Sequence, residues 1–425
     1  MYIPYEKIGQ TIKLFFPKYS KDICEFCYDK KVEQNCSYIE KNSKIVLKKL
    51  RKVYGKRPIR VAFSCDDATK WKCHSLYDLF LESEYFHPFI IVTKNNTTYK
   101  DFIIPKNTEK AYEFFTKKGL ETYLGCNLET DEIYPIENFK PDIIFYQEPW
   151  ANKTIQGPVV ASKFALTYYV PYFVPNAASS IEYGLRFHQY IHKYYVLNQL
   201  IKDFYAPKMQ NEGKNLKIVG HTQLDYFYLN NHKTEDKKYV IYAPHWSIDE
   251  PRENYATFLW NGQFILDFAK KHPEIQWIFK PHPSLKLRLK VKKIMTDEEI
   301  ETYWNEWNKI SLVYESGDYL DLFSRSYAMI TDCGSFLTEF LMTEQPVIHP
   351  VSETCAGYNP GTEKIVKSYY QAHNLEELEK YLEEIILKKN DPRKNERLAV
   401  IDELGLKNNY CAKNILEDII GELSA

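Results

Sequence analysis

Three short segments hold residue types suited to binding and activating a phosphate ester. They are Ala243-Pro244-His245-Trp246-Ser247, Lys280-Pro281-His282-Pro283-Ser284 and Thr331-Asp332-Cys333-Gly334-Ser335. His and Lys bring hydrogen-bond donors and positive charge, and Gly334 and Ser335 stand where a helix opens, so that free backbone amides face an anion. This chemistry fits a nucleoside diphosphate and asks for neither a metal nor an organic cofactor. Alone, each segment is weak evidence: Asp332 or Ser335 serves equally well as a helix cap, and a single His after a strand is more often structural. Position gives them weight. Each follows an apolar run that reads as a buried strand, and in open α/β sheets ligands sit beyond the carboxyl ends of the strands. Three loops at one end of one sheet converge on a single rim.

The elements that must carry these loops follow from the hydrophobic pattern. In the second half, strands are expected at 217–219, 239–242, 277–279, 312–314, 328–330 and 347–348, with helices at 255–270, 319–324, 335–342 and 375–387 between them. The first half uses the same grammar, with strands at 59–64, 89–92 and 143–146. Cys65-Asp66-Asp67 and Gln147-Glu148-Pro149-Trp150 close two of these. The alternation predicts an α/β protein of two Rossmann-like, doubly wound domains facing a cleft, each a parallel sheet covered on both sides. A chain of 425 residues is also too long for one growing core. The expected division is a helical extension over 1–55, a first domain over 56–212 for the acceptor, and a second over 213–425 for the nucleotide donor, with C-terminal helices. In the extension, Tyr38, Ile39, Ile45, Val46, Leu50 and Val53 form one apolar stripe against a Lys-rich face. The boundary falls in the polar stretch 210–215, and the amphipathic segment 397–423 is expected to pack back across the first domain.

Composition excludes several classes. With 27% charged residues and a net charge of −1, nothing calls for a nucleic-acid partner. No segment approaches the roughly 20 apolar residues of a membrane-spanning helix. Residues 1–21 lack a secretory apolar run, so the expected location is the cytoplasm, with peripheral attachment to the inner face of the membrane left open. Nine cysteines, an odd number, read as free thiols; Cys24 and Cys27 form a CxxC pair near Cys36, but no partner set completes a zinc site. The 35 tyrosines suit sugar stacking and a Tyr-rich core equally.

Phosphoryl transfer to a hydroxyl needs two roles, stabilisation of charge on phosphate oxygens and removal of the hydroxyl proton. His282, Lys280 and the Gly334 and Ser335 amides suit the first, with His245 and Ser247 on the opposite side. For the second, Asp66, Glu148 and His188 are the first-domain candidates, although Asp66 and Glu148 also suit helix caps. Glu148 comes first among them. His188 and His192 lie four apart on one expected helix face, without a third metal ligand, and read as surface or acceptor-binding residues.

Tyr242-Ala243-Pro244-His245-Trp246, Lys280-Pro281-His282-Pro283 and Ile330-Thr331-Asp332-Cys333-Gly334-Ser335-Phe336 resemble the C-terminal half of the CDP-glycerol glycerophosphotransferase family, whose members make teichoic-acid and related capsule polymers. Val219-Gly220-His221-Thr222-Gln223-Leu224-Asp225 and Glu344-Gln345-Pro346-Val347-Ile348 resemble the flanking segments, so the likeness covers residues 217–350. It implies a GT-B architecture, a CDP-activated donor, and transfer of a polyol phosphate to a polysaccharide or lipid-linked acceptor with release of CMP. His282 matches the family's catalytic-site histidine, and Ser335 its donor-contacting serine in Asp-x-x-Ser. On this reading His282, His245, Glu148 and Asp66 are catalytic. The donor is bound by Lys280, Ser247, Asp332, Gly334, Ser335, Phe336 and Glu339, and the acceptor by His188. The sequence departs from the family in the first domain. The family's Trp-His-Gly-Thr-Pro stretch is absent, and the corresponding segment, Tyr172-Phe173-Val174-Pro175-Asn176-Ala177-Ala178-Ser179, has no His. Glu339 replaces the usual Asp, and Cys333-Gly334 the usual Tyr-Ser. Glycosyl transfer, nucleotide-sugar epimerisation and a catalytically silent nucleotide-binding subunit remain competing readings.

Overall fold

The structure, a computed structural model, describes residues 20–94, 98–99, 102–103, 108–150, 155–230, 237–315, 317–407 and 409–425, with residues 20–28, 98–99 and 102–103 described by backbone alone. In chain order the strands of the first half are β1 (Ile59–Cys65), β2 (Phe86–Val92), β3 (Thr98–Tyr99), β4 (Phe102–Ile103), β5 (Thr122–Leu124), β6 (Ile143–Tyr146), β7 (Leu166–Tyr169), β8 (Lys193–Val196) and β9 (Leu216–Ile218). Those of the second are β10 (Tyr239–Ala243), β11 (Gln276–Phe279), β12 (Leu312–Val313), β13 (Ser326–Thr331), β14 (Val347–Pro350) and β15 (Tyr370–Ala372). β3 and β4 form a small antiparallel pair. The others build two sheets, β5-β2-β1-β6-β7-β8-β9 and β12-β11-β10-β13-β14-β15. Every pairing within both sheets is parallel. Each sheet winds outward from its first strand in both directions, the doubly wound order of a Rossmann domain, and this GT-B-like pair of domains is the predicted fold.

Alternation explains why the strands are apolar throughout. In β1, Val61, Phe63 and Cys65 pack into a cluster on the outer face of the first sheet, while Ala62 joins a central cluster on the other face. In β10, Val240 and Tyr242 face an outer cluster of the second sheet and Ile241 and Ala243 face the central one. Buried on both faces, such strands lose the polar half of the alternating pattern. Tyr146, Tyr168, Tyr169, Tyr194, Tyr195, Tyr205, Tyr242 and Tyr369 are all fully buried. Much of the tyrosine content is therefore core.

Three expectations need correction. β9 does not begin the second domain: Leu216 pairs with Tyr194 and Ile218 with Val196, making it the edge of the first sheet. Residues 210–215 are consequently a turn inside the first domain, and the chain crosses over after β9. The N-terminal helix is longer than expected, Ser20–Val53. Val32, Ile39, Val46 and Leu50 form its buried stripe, while Tyr38 and Ile45 are exposed. The side chains of Cys24 and Cys27 lie outside the described residues. The last helix, Cys411–Ser424, does pack across the first domain: Ile415, Ile419 and Leu423 enter the cluster that holds Phe63 and Leu76. Asp225 caps its start by accepting from the Cys411 and Ala412 amides at 2.7 and 3.0 Å.

Candidate functional site

The second-domain loops meet at the point where the sheet order reverses, between β10 and β13. Asp332, expected to bind donor, is occupied otherwise. Its Oδ1 accepts from the His245 amide at 2.6 Å, and its Oδ2 from the amide and hydroxyl of Thr257, both at 2.6 Å. With both oxygens engaged and only 2% exposed, it clamps the loop after β10 to β13 rather than contacting a ligand. Clamped loops hold the two histidines. Ser247 Oγ accepts from the Tyr255 amide at 2.9 Å and lies 2.8 Å from His245 Nδ1, which also accepts from the Ser247 amide at 3.4 Å, so the ring hydrogen of His245 is assigned to Nε2. His282 Nδ1 accepts from the Ser284 amide at 3.1 Å, leaving Nε2 as its donor too. The His282 amide bonds Pro244 O at 3.0 Å, and the two rings meet edge to face with centroids 5.2 Å apart. Burial holds His245 down at about 3 and His282 well below its ordinary value. Both are neutral imidazoles, each with one N–H donor.

Lys280 points into an aromatic cage, its Nζ 4.6 Å from the Tyr319 ring centroid, 5.1 Å from Phe336 and 5.7 Å from Tyr314. Burial lowers it to about 8. The helix Gly334–Leu341 begins beside this cage, and Cys333 at its N-cap offers no oxygen to its first amides. Neither Asp332 nor Ser335 caps it. Ser335 and Phe336 are half-buried. Glu339, fully buried, accepts from the Tyr319 hydroxyl at 2.8 Å, and burial raises its carboxyl.

Across from this rim stands the first domain's own reversal point, between β1 and β6. Asp66 follows β1 and Glu148 follows β6, both buried. Lys70 lies between them, its Nζ 2.8 Å from Asp66 Oδ1 and in direct contact with Glu148 Oε2. Asp67, not Asp66, caps the turn Ala68–Lys70, accepting from the Thr69 amide at 2.9 Å, so Asp66 is free of that duty. Burial and the neighbouring Asp66 push Glu148 up to about 8, against the pull of Lys70. The pair therefore holds a proton at neutral pH, next to a permanent positive charge.

The two rims touch. Gln223 Nε2 donates to the Tyr319 hydroxyl at 3.3 Å, and Lys72 Nζ lies 4.9 Å from the Tyr319 ring centroid. Asn176 reaches from the loop after β7 to the helix start in the second domain, where a Cβ on Gly334 would stand 2.3 Å from its Oδ1. Its loop is fixed by Glu182, which accepts from the Asn176 and Ala177 amides at 2.9 and 2.8 Å, and by His221 Nε2, within 2.9 Å of Pro171 O. An antiparallel bridge from Ala177 to Tyr358 closes the same edge.

His188 belongs to none of this. It sits in the short helix Arg186–Gln189, with its ring stacked on Tyr194 at 5.3 Å and no exposed surface, which rules out the expected acceptor contact. His192 falls after that helix and pairs with Glu422 at 3.1 Å. Sequence reasoning missed Lys70, Lys72, Asn176, Gln223 and Tyr319. Asn176 and Gln223 lay inside segments already singled out, but nothing in their types told them from ordinary loop residues. A separate cavity of about 640 Å³ at the opposite end of the first sheet is lined by Arg57, Arg60, His87 and Asp142, and two of its side chains already have partners: Arg57 with Asp142 at 2.6 Å and His87 with Glu121 at 2.7 Å. Among the described residues, no three His, Cys, Asp or Glu side chains gather to hold a metal ion.

No family model and no curated protein sequence matches this chain. Solved structures do resemble it. UDP-GlcNAc 2-epimerase from Neisseria meningitidis, bound to UDP-GlcNAc, aligns with a TM-score of 0.53 at 12% identity over 86% of this chain and 100% of that one. The wall teichoic acid polymerase TagF gives 0.53 at 12% identity over 92% and 98%. The S. aureus MnaA–UDP complex gives 0.51 at 14% over 85% and 96%. At such identities the likeness is one of fold, a GT-B-like pair of Rossmann domains.

Proposed function

We propose that the protein transfers a polyol phosphate from a CDP-activated donor to a hydroxyl of a growing capsule or teichoic-acid-like polymer, releasing CMP. One observation carries this reading: two neutral histidines with free Nε2 donors, a caged lysine and an uncapped helix start converge on one rim, opposite a protonatable carboxylate pair. Donors fixed in advance around a phosphate stabilise charge that develops during its transfer. In the reaction the acceptor oxygen forms a bond to the distal phosphorus, the bond from that phosphorus to the bridging oxygen breaks, and CMP departs with the electron pair. The His282 and His245 Nε2–H groups and Lys280 bear on the phosphate oxygens. Glu148, beside Asp66 and Lys70, accepts the acceptor's proton. Ser247 orients His245, Asp332 holds the loops, and the Gly334 and Ser335 amides, with Phe336 and Glu339, border the donor. The likeness to TagF, described as a wall teichoic acid polymerase, agrees with this reading. Among the described residues no helix is long and apolar enough to cross a membrane.

A second reading is favoured by the Asp66–Glu148 pair itself. Carboxylates beside a nucleotide-bound sugar are what an epimerase requires, and two of the similar folds carry or bind UDP compounds. One assay separates the readings: the purified protein is incubated without added metal with CDP-glycerol, CDP-ribitol or UDP-GlcNAc, with and without a capsule-derived acceptor. CMP released only when acceptor is present is the expected result. Release of a nucleoside diphosphate would indicate glycosyl transfer, and an epimer formed without acceptor would replace the proposal with the second reading.

A further inference from the structure

Two ammonium groups, of buried Lys280 and half-buried Lys72, share one aromatic ring at the domain junction. Lys280 Nζ approaches Tyr319 from the second domain at 4.6 Å and Lys72 Nζ from the first at 4.9 Å, measured to the ring centroid. Glu339, bonded to the Tyr319 hydroxyl, is the carboxylate that both lysines sense, and Lys280 also feels the positive charge of Lys72. Asp318 adds a weaker attraction on Lys72. Neither ammonium hydrogen-bonds or ion-pairs with a described residue; both rest against π-faces. Two ammonium groups beside one buried carboxylate leave positive charge that favours an anion between them. The first-domain side holds another unspent donor. Gln147, 1% exposed, gives its Oε1 to the Lys72 amide at 2.9 Å while its Nε2 meets no acceptor.

We propose that Lys72 completes the donor site from the opposite domain, so that the diphosphate of a nucleotide donor is held between Lys72 and Lys280 with Tyr319 as its floor. This rests on the transferase reading above and adds to it a residue from the first domain that fastens the two domains onto one ligand. Lys72 follows the turn Ala68–Lys70 and is held by Gln147 at the end of β6, so a diphosphate bound there draws the first domain's reversal point, with Asp66 and Glu148, toward the phosphate.

The test uses inorganic pyrophosphate titrated calorimetrically into the full chain, with CDP as competitor. Pyrophosphate is expected to bind and to be displaced by CDP. Lys72→Met, which keeps the apolar stem over Tyr319, is expected to weaken pyrophosphate about ten- to hundredfold, as a lost charge-assisted bond does, and Lys72→Arg to recover most of it. Unchanged affinity in Lys72→Met, no binding by the natural protein, or binding that CDP does not displace would each overturn the proposal. Should Lys72→Met not fold, Glu339→Gln serves instead: removing the internal counter-charge is expected to tighten pyrophosphate several-fold, and an unchanged affinity overturns the proposal. Nucleotide release by the natural protein is scored separately, so the transferase reading can stand while Lys72 fails.

Discussion

A neutral imidazole buried beside another neutral imidazole is poorly suited to act as a base, since burial holds His245 at about 3 and His282 lower than usual. It is well suited to donate. His282→Ala is expected to keep the fold, because the ring is half-buried and only its Nδ1 serves the loop, and to lower kcat by about 10²–10³-fold, the usual loss of one fixed donor at a developing charge. Near-normal turnover would remove His282 from the site. The base then has to come from the other domain, where Glu148 is lifted to about 8 by burial and by Asp66. Below that value it carries its proton and cannot take another. The rate is therefore expected to climb as pH rises through about 8, Glu148→Gln to lose about 10²–10⁴-fold, and Asp66→Asn to move the rising limb to lower pH by removing the charge that lifts Glu148. A profile that stays flat through neutral and mildly alkaline pH would exclude Glu148. Stability moves the opposite way: a carboxyl raised on folding favours the folded state most at low pH, and that advantage fades between the ordinary glutamate value and about 8.

Loops do the positioning, and how far they could be read beforehand differs between the two domains. In the second domain the strands 239–242, 277–279 and 328–330 appear in the structure within a few residues of their expected ends, because strands buried on both faces show as continuous apolar runs. The polar residues that follow them therefore stood out. At the junction the site comes from Lys72 and Asn176 of the first domain and Tyr319 of the second, which meet only when the domains face each other, and no local pattern encodes a meeting between residues that far apart in the chain. β9 was misassigned for a similar reason: strand and helix alternate across the domain junction without a break. Gly334 shows what that hidden contact demands, since the Asn176 amide occupies the space a side chain would need. Gly334→Ala is expected to cost about 1–3 kcal/mol, the usual penalty of overpacking, and to raise the donor KM by displacing the loop after β7. Asn176→Ala in the same background should return most of the stability, and a double-mutant cycle with no coupling would show that the two residues do not press on each other.

At the scale of the molecule, the two domains are not consecutive halves. The chain leaves the first domain after β9, builds the second, and returns so that Cys411–Ser424 closes the outer face of the first sheet. Its Asp418 binds Lys193 at 2.6 Å and the Tyr195 hydroxyl at 3.0 Å, while Glu422 accepts from the Tyr168 hydroxyl at 2.7 Å. The last helix is thus held to β7 and β8, and since β7 pairs with β6, whose end carries Glu148, any loosening there reaches the catalytic rim through the sheet rather than through the cleft. Ile415, Ile419 and Leu423 are buried, and each apolar side chain of this kind contributes roughly 1.5–3 kcal/mol when fully covered, so together they rival the whole stability of a typical domain. Removing residues 411–425 is expected to abolish turnover and unfold the first domain even though every donor-site residue lies elsewhere. Thermal melting followed by tryptophan fluorescence and circular dichroism checks this: loss of the cooperative transition is the expected result, and a truncated chain that melts within a few degrees of the full one would show that the helix merely decorates the sheet.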